Sequence, residues 1–396
     1  MNIAILIPEL GGGGAERVAQ IIGDYYCTRG ENVYYFLLET SISQVYPVKG
    51  GIINTGIKSC TEGDPYGTIQ VLGKLLKSSV QMRKWKWKYH IDVAISFMEE
   101  CNYINVLSKG RERVITRVCT ILSQRDDFRG VLYNRYLVHF LYSLSNKIVV
   151  MSDYAVKDMH DNYGISYSKL QKIPNPALQG NLREEDGNWI YGKDVVICVG
   201  RLERVKQQEK IIRAFTYVIS QHKTAKLLIL GTGPNRKYLE NLCKKNGIDQ
   251  SVVFVGFTDD VEFYLKNSKV FVMASKVEGF PNSMVEAMAY GVPIVTTNSP
   301  GACSEIVGGT KKMVSELTIQ YCKYGILTPA ISGKKEKSAR CSKEEVLLGD
   351  AILKVLKENE LYDKYHKRSL KRAEMFHIDR VIKKWDKVVL YDRRKN

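Results

Sequence analysis

Two glutamates, a basic pair and a set of glycine-rich turns are the residues of this 396-residue chain whose types and spacing could do chemistry. Glu278 and Glu286 bracket Gly279-Phe280-Pro281-Asn282-Ser283-Met284-Val285, and Ala287-Met288-Ala289-Tyr290-Gly291-Val292-Pro293 follows. Pro281 suits the first turn of a helix, where its missing N–H costs nothing; Gly291 ends that helix and Pro293 prevents its continuation. The helix N-terminus at Asn282, Ser283 and Met284 then offers backbone N–H groups and a positive dipole end, a site for a diphosphate. Carboxylates beside such a site make sense as acceptors for hydroxyls, as on a sugar and a ribose. Upstream, Val199-Gly200-Arg201-Leu202-Glu203-Arg204-Val205-Lys206 supplies a guanidinium that can fork to two phosphate oxygens and a lysine that adds a point charge.

These residues need strands and helices to hold them. Short apolar runs at Ile3–Ile7, Val33–Leu38, Val93–Phe97, Val114–Thr116 and Lys147–Met151 predict one series of buried strands. Runs at Val195–Val199, Leu227–Leu230, Val252–Val255, Val270–Met273 and Val292–Thr296 predict a second. Longer amphipathic segments between them predict helices, so each series implies a parallel sheet in an α/β protein. Ile173-Pro174-Asn175-Pro176 and the polar stretch Gly180–Asn188 separate the two series, because paired prolines forbid helix and disrupt a central strand. The expected domains are residues 1–178 and 190–378. A last helix from Asp379 to Tyr391, with Val381, Ile382, Trp385, Val388 and Val389 on one face, is expected to cross back onto the first domain within 379–396. Gly308–Lys343 is expected to be an exposed insertion around a short Tyr324–Pro329 element.

The Glu278–Val295 stretch resembles the Glu-x7-Glu motif of the retaining glycosyltransferases of family 4, together with its GFPNS and EAMAYGVPIV flanks. The resemblance implies the GT-B fold, two Rossmann-like domains with a deep interdomain cleft. It implies that Glu278 contacts the donor sugar's hydroxyls, that Glu286 binds the ribose, and that backbone N–H groups between them hold the distal phosphate. Val199–Lys206 looks like the family's GR(L)xxxK segment, in which Arg201 and Lys206 bind the leaving nucleoside diphosphate. Gly231-Thr232-Gly233-Pro234 resembles its strand-to-loop glycine pair, and Val255-Gly256-Phe257 the segment lining the base pocket. Taken residue by residue, the implied catalytic set is Arg201, Lys206 and Glu278. The implied donor-binding set adds Gly200, Gly231, Gly233, Phe257, Gly279, Phe280, Asn282, Ser283, Met284 and Glu286.

At the other end, Leu10-Gly11-Gly12-Gly13-Gly14-Ala15-Glu16-Arg17 joins the first strand to the first helix. It resembles the GGAER segment of a subgroup that builds bacterial polysaccharides and lipid-linked glycans, in which Gly12, Gly13 and Gly14 would pack over the donor. It does not fit the dinucleotide GxGxxG fingerprint: the third glycine falls out of register, and only Glu39 stands near the end of the second strand. The family's usual His in this domain has no counterpart in Val114-Ile115-Thr116-Arg117-Val118-Cys119, where Arg117 is placed to face the cleft. His90, His139 and His160 read as surface or packing residues. The resemblance then implies a front-face displacement in which the leaving phosphate itself deprotonates the acceptor. No metal and no cofactor beyond the nucleotide-sugar donor are expected.

Composition bounds the rest. The nine cysteines show no metal or disulfide spacing and fit a reducing cytoplasm, and no apolar run reaches the roughly 20 residues of a membrane span. The start lacks a signal peptide's basic region. Residues 1–190 hold 22 basic against 19 acidic side chains, a net of +3, and the remainder 37 against 23, a net of +14. That excess points to a polyanionic partner. Within Lys74–Tyr89 a helix would align Lys74, Lys77, Gln81, Lys84 and Lys88 with Trp85 beside them, opposite a core stripe of Leu72, Leu75, Ser79 and Met82. A basic face with an interfacial Trp predicts contact with the anionic inner face of a membrane. The expected donor is UDP-GalNAc, UDP-Gal or UDP-GlcNAc and the expected acceptor a glycan or lipid-linked glycan. The rivals are a sugar-nucleotide epimerase of the same fold, for which no acid/base pair is apparent, and a basic nucleic-acid-binding protein, for which no motif is present.

Overall fold

Runs that are apolar on both faces are stable only as strands covered on both sides, and the computed structural model places them so. It describes residues 1–38, 47–58, 68–124, 134–177, 189–308, 317–331 and 341–390. Glu39, the Gly180–Asn188 stretch and residues 309–316 and 332–340 of the expected insertion lie outside the described residues, while its Tyr324–Pro329 element is largely buried rather than exposed. The chain divides into two units, Met1–Pro176 with Asp379–Asn396, and Ala177–Ile378.

Unit 1 holds seven parallel strands: β1 Asn2–Ile7, β2 Asn32–Leu37, β3 Gly51–Asn54, β4 Val93–Phe97, β5 Arg113–Arg117, β6 Lys147–Val150 and β7 Leu170–Lys172, in the order β3-β2-β1-β4-β5-β6-β7. Its helices are α1 Gly14–Thr28, α2 Thr68–Lys88, α3 Glu99–Leu107, α4 Arg135–Ser143 and α5 Asp153–Tyr163. β3 and β7 carry no apolar run, because each is a short edge strand paired on one side only.

Unit 2 repeats the plan with β8 Val195–Val199, β9 Lys226–Leu230, β10 Val252–Gly256, β11 Val270–Met273, β12 Ile294–Thr297, β13 Gln320–Tyr321 and β14 Ile326–Thr328, in the order β10-β9-β8-β11-β12-β14-β13. Among the described residues only the β13–β14 pair is antiparallel. Helices α6 Gln208–Gln221, α7 Arg236–Lys245, α8 Val261–Lys266, α9 Asn282–Ala289, α10 Cys303–Val307, α11 Lys343–Lys357 and α12 Asn359–Ala373 cover it. β12 begins at Ile294 rather than Val292. The Val292 N–H bonds Ala287 O at 3.0 Å and the Gly291 N–H bonds Met288 O at 3.0 Å, the paired bonds of a Schellman cap on α9.

The last helix, α13 Ile378–Val389, buries Val381, Ile382, Trp385, Val388 and Val389. Within unit 1 it is fixed by Arg113 Nε donating to Val388 O at 2.8 Å and by an Arg29–Asp386 ion pair at 2.8 Å. Among the described residues no helix is long and apolar enough to cross a membrane, and the eight described cysteines are all free.

One charge of α2 lies inside the unit. The Lys86 ammonium donates to Asn105 O, Asn105 Oδ1 and Glu112 Oε1 at 2.9, 2.7 and 2.8 Å. Burial pulls its pKa down to about 8 against the opposing pull of Glu112. Removing one partner of a buried pair strands the other charge, so Lys86→Ala should cost about 3–5 kcal/mol in urea denaturation. A loss below about 1 kcal/mol would mean that the buried pair contributes little.

Candidate functional site

Doubly wound sheets bind ligands beyond the carboxyl ends of their strands where the strand order reverses. In unit 2 that point lies between β8 and β11, which pair through Val270–Val196 and Phe271–Ile197. The Gly200–Lys206 segment leaves β8 there, and the segment carrying Glu278 leaves β11 there.

The loops are cross-tied. Leu202 N–H bonds Thr232 O at 2.8 Å, Asn235 N–H bonds Leu202 O at 3.0 Å, Gln208 Nε2 bonds Arg201 O at 2.8 Å, and Lys276 N–H bonds Val205 O at 2.7 Å. Gly231 and Gly233 serve this tying. A Cβ on Gly231 (φ +124°) would collide with Gly200 O, and one on Gly233 would meet the Leu202 backbone. Their requirement is close approach of two loops. At Gly200 an added Cβ would meet open space.

Lys206, at the end of the 3-10 turn Arg204–Lys206, pairs with Glu278 at 2.7 Å (Nζ–Oε1). Burial works to lower the Lys206 pKa, but the Glu278 charge and hydrogen bond outweigh it and hold the ammonium above its ordinary range. The same Oε1 accepts from Ser275 Oγ at 2.6 Å. The Glu278 backbone is pinned as well, its N–H to Pro300 O at 3.1 Å and its carbonyl to Ala302 N–H at 3.2 Å. Gly301 (φ +121°) lies so close that a Cβ there would collide with Glu278 O. Pro300, Gly301 and Ala302 escaped the sequence reading, since only the folded loops bring them to Glu278, and Ser275 escaped it because it stands just outside the motif. Arg201, by contrast, is largely exposed and pairs with Glu203 at 3.0 Å.

α9 starts at Asn282 with Pro281 as its N-cap, one position earlier in role than the sequence predicts. The Ser283 Oγ donates to Val199 O at 3.1 Å, tying the N-terminus to β8. Met284 requires a correction: its side chain is buried in the core and its N–H bonds Pro281 O at 3.2 Å, so neither is open to a ligand. Asn282 and Glu286 are half-buried. Gly279 precedes the half-buried Phe280, whose ring packs on Phe376 at 5.6 Å, and Phe257 is 61% exposed. Burial pushes the Cys198 and Cys303 thiols up to about 12, so neither is a ready nucleophile.

In unit 1 the glycine loop runs into α1, with Gly13 as N-cap and Gly14 as first residue. A Cβ on Gly13 would collide with the Glu16 carboxylate, whereas one on Gly12 would meet open space. Arg117 overturns its expected place: it is 1% exposed, lies between Phe97 (5.4 Å) and Trp385 (5.5 Å), and donates to Asn175 Oδ1. His139 and His160 bond the Tyr163 and Ile165 carbonyls through Nδ1, at 2.8 and 2.9 Å. Met98, at the β4–α3 turn, holds a backbone conformation (φ 68°, ψ 156°) that is nearly confined to glycine.

On α2 the expected lysines Lys77, Lys84 and Lys88 are exposed and Leu75, Ser79 and Met82 are buried as expected, but the flank at Gln81 and Trp85 is not open. Gln81 Nε2 and Trp85 Nε1 both turn inward to Thr55 O, at 2.7 and 3.2 Å. Ile69, Leu76, Val80 and Trp87 face out instead, at positions that form one helical stripe.

A family model described as glycosyl transferases group 1 matches residues 183–316. An uncharacterized glycosyltransferase of Methanocaldococcus jannaschii is 32% identical over 224 residues, 55% of this chain and 53% of that protein, so the chain spans about half of that relative's length. The N-acetylgalactosamine-N,N'-diacetylbacillosaminyl-diphospho-undecaprenol 4-alpha-N-acetylgalactosaminyltransferase of Campylobacter jejuni is 26% identical over 314 residues, 78% of this chain and 83% of that one. Sucrose-phosphate synthase of Thermosynechococcus elongatus superposes with a TM-score of 0.77 at 15% identity, covering 100% of both chains. HepE of Anabaena, solved with UDP and glucose, does so at 0.72 and 16% identity, covering 99% of this chain and 100% of that one. The two Rossmann-like sheets are those of the GT-B fold, and the match to the glycosyl transferases group 1 model falls within unit 2.

Gly301→Ala should cost more than about 1 kcal/mol, since its φ suits glycine and the added carbon strikes Glu278 O. Calorimetry checks this; an unchanged melting temperature would remove Gly301 from the support of the site.

Proposed function

We propose that the chain is a retaining glycosyltransferase of the family 4 type that moves a sugar from a UDP-sugar to a hydroxyl of a glycan or lipid-linked glycan in surface-polysaccharide synthesis. The observation that carries this reading is the Lys206–Glu278 contact at the strand-order reversal, beside the α9 N-terminus and inside the matched domain. Arg201 and Lys206 stabilise the departing diphosphate, work that a metal would otherwise do. Glu278 accepts a sugar hydroxyl, Glu286 the ribose hydroxyls, and the N–H groups at Asn282 and Ser283 face the distal phosphate. The acceptor oxygen bonds the anomeric carbon as the bond to the diphosphate breaks, and the acceptor proton passes to the leaving phosphate. The Campylobacter relative's name supports UDP-GalNAc, with UDP-Gal and UDP-GlcNAc as near alternatives. No observation favours the epimerase or nucleic-acid readings.

A thermal-shift screen with UDP, GDP, ADP and their sugars in EDTA tests the donor. Stabilisation by the uridine compounds is expected, weakened roughly tenfold or more in affinity by Glu286→Ala through loss of a charged hydrogen bond. Stabilisation only when magnesium is restored would sink the metal-independent reading.

The proposed workplace is the cytoplasmic membrane surface. α2 carries Lys74, Lys77, Arg83, Lys84 and Lys88 and no acidic residue, around the outward stripe of Ile69, Leu76, Val80 and Trp87. Lys109 links it to α4, accepting from Arg83 and donating to Leu144 O, and α4 exposes Tyr136 and Phe140. Apolar side chains ringed by cations match an anionic bilayer, each cation contributing about 1 kcal/mol. Flotation with phosphatidylglycerol vesicles should be lost in Leu76→Ser with Trp87→Ala. Equal flotation of that variant would remove the membrane from this account.

A further inference from the structure

Within unit 2, one oxygen of Glu278 serves two donors, Lys206 Nζ at 2.7 Å and Ser275 Oγ at 2.6 Å, both to Oε1. Among the described residues no hydrogen bond reaches Oε2, so the carboxylate is anchored through one oxygen and presents the other. The two donors differ in kind. Lys206 is a cation on a flexible stem beside the loop of Arg201, and an incoming diphosphate competes for it with two or more negative charges. Ser275 is neutral, 2% exposed and held from behind: Ser299 Oγ donates to its carbonyl, and Ser299 Oγ meets Thr297 Oγ1 at 3.0 Å.

We infer that Ser275 is a positioning residue that keeps Glu278 aimed at the sugar once Lys206 has turned to the diphosphate. The inference rests on the donor-site reading above. Before the donor arrives, Lys206 and Glu278 satisfy each other. The diphosphate draws the ammonium away, and Glu278 is left with one side-chain hydrogen bond. Only the Ser275 hydroxyl then fixes the rotation of the carboxylate, and it does so without neutralising it. Oε2 stays a strong acceptor for a donor-sugar hydroxyl. Ser275 therefore acts on the sugar and not on the nucleotide.

That separation gives the test. Calorimetric titration of wild type, Ser275→Ala and Ser275→Thr with UDP and UDP-GlcNAc, UDP and UDP-GalNAc, GDP and GDP-mannose, and ADP and ADP-glucose compares each diphosphate with its sugar. For the pair that wild type binds, Ser275→Ala should leave the diphosphate within about twofold and weaken the sugar nucleotide about tenfold. Ser275→Thr, which keeps the hydroxyl, should recover most of that loss. Equal weakening of both ligands in Ser275→Ala would mean a merely structural serine and would overturn the inference, as would no change in either. A wild-type chain that binds none of these compounds would overturn the donor reading first, and this inference with it.

Discussion

A carboxylate and an ammonium withdrawn from water at the reversal of a parallel sheet are the constraint on which the arrangement of unit 2 depends. Burial penalises the Lys206 ammonium there, and its contact with Glu278 outweighs that penalty. Their mutual attraction holds the β8 and β11 loops in one relative position. The surrounding glycines follow from that requirement: loops this close leave no room for Cβ atoms at Gly231, Gly233 and Gly301. The site is thus built from the charge pair outward, with loop conformations chosen to permit it.

The same logic separates a charge pair that leaves room for a ligand from one that does not. Lys86 with Glu112 and Lys206 with Glu278 are both close pairs, yet their surroundings differ. All three protons of Lys86 have protein acceptors, so nothing is left for a ligand. Among the described residues Lys206 has one side-chain partner, Glu278, and its side chain is a quarter exposed beyond the carboxyl end of β8. Arg117 is the third case, a guanidinium enclosed by Phe97, Trp385 and Asn175. It joins the Pro174–Pro176 segment to the final helix, a structural use of a residue that its place in the sequence suggests for chemistry.

Much of this was legible in the sequence, and the failures have physical causes. Central strands were readable because burial on both faces demands continuous apolar runs, whereas the edge strands β3 and β7 obey no such demand. Glu278, Lys206 and the α9 cap were readable because their motifs are contiguous. Gly301 was not, since its role arises from a contact between loops more than twenty residues apart, and Ser275 was not, because it stands outside the motif although only three residues from Glu278. On α2 the angular spacing of residues was correct, but spacing does not say which flank meets Thr55. Trp85 and Trp87, two residues apart, therefore exchanged the roles their sequence suggests. Met284 looked like a ligand contact because it sits in the motif, while an eight-residue helix against a sheet must turn some of its motif into core.

The cross-ties among the unit 2 loops carry one more consequence. Each hydrogen bond described here that fixes Glu278 or Lys206 begins and ends between Val199 and Ala302, within unit 2. The Lys206–Glu278 contact is thus framed by hydrogen bonds that lie wholly within one unit. Substitutions in unit 1 remove none of these bonds. A chain recombined with a relative near Pro176 would carry them over intact.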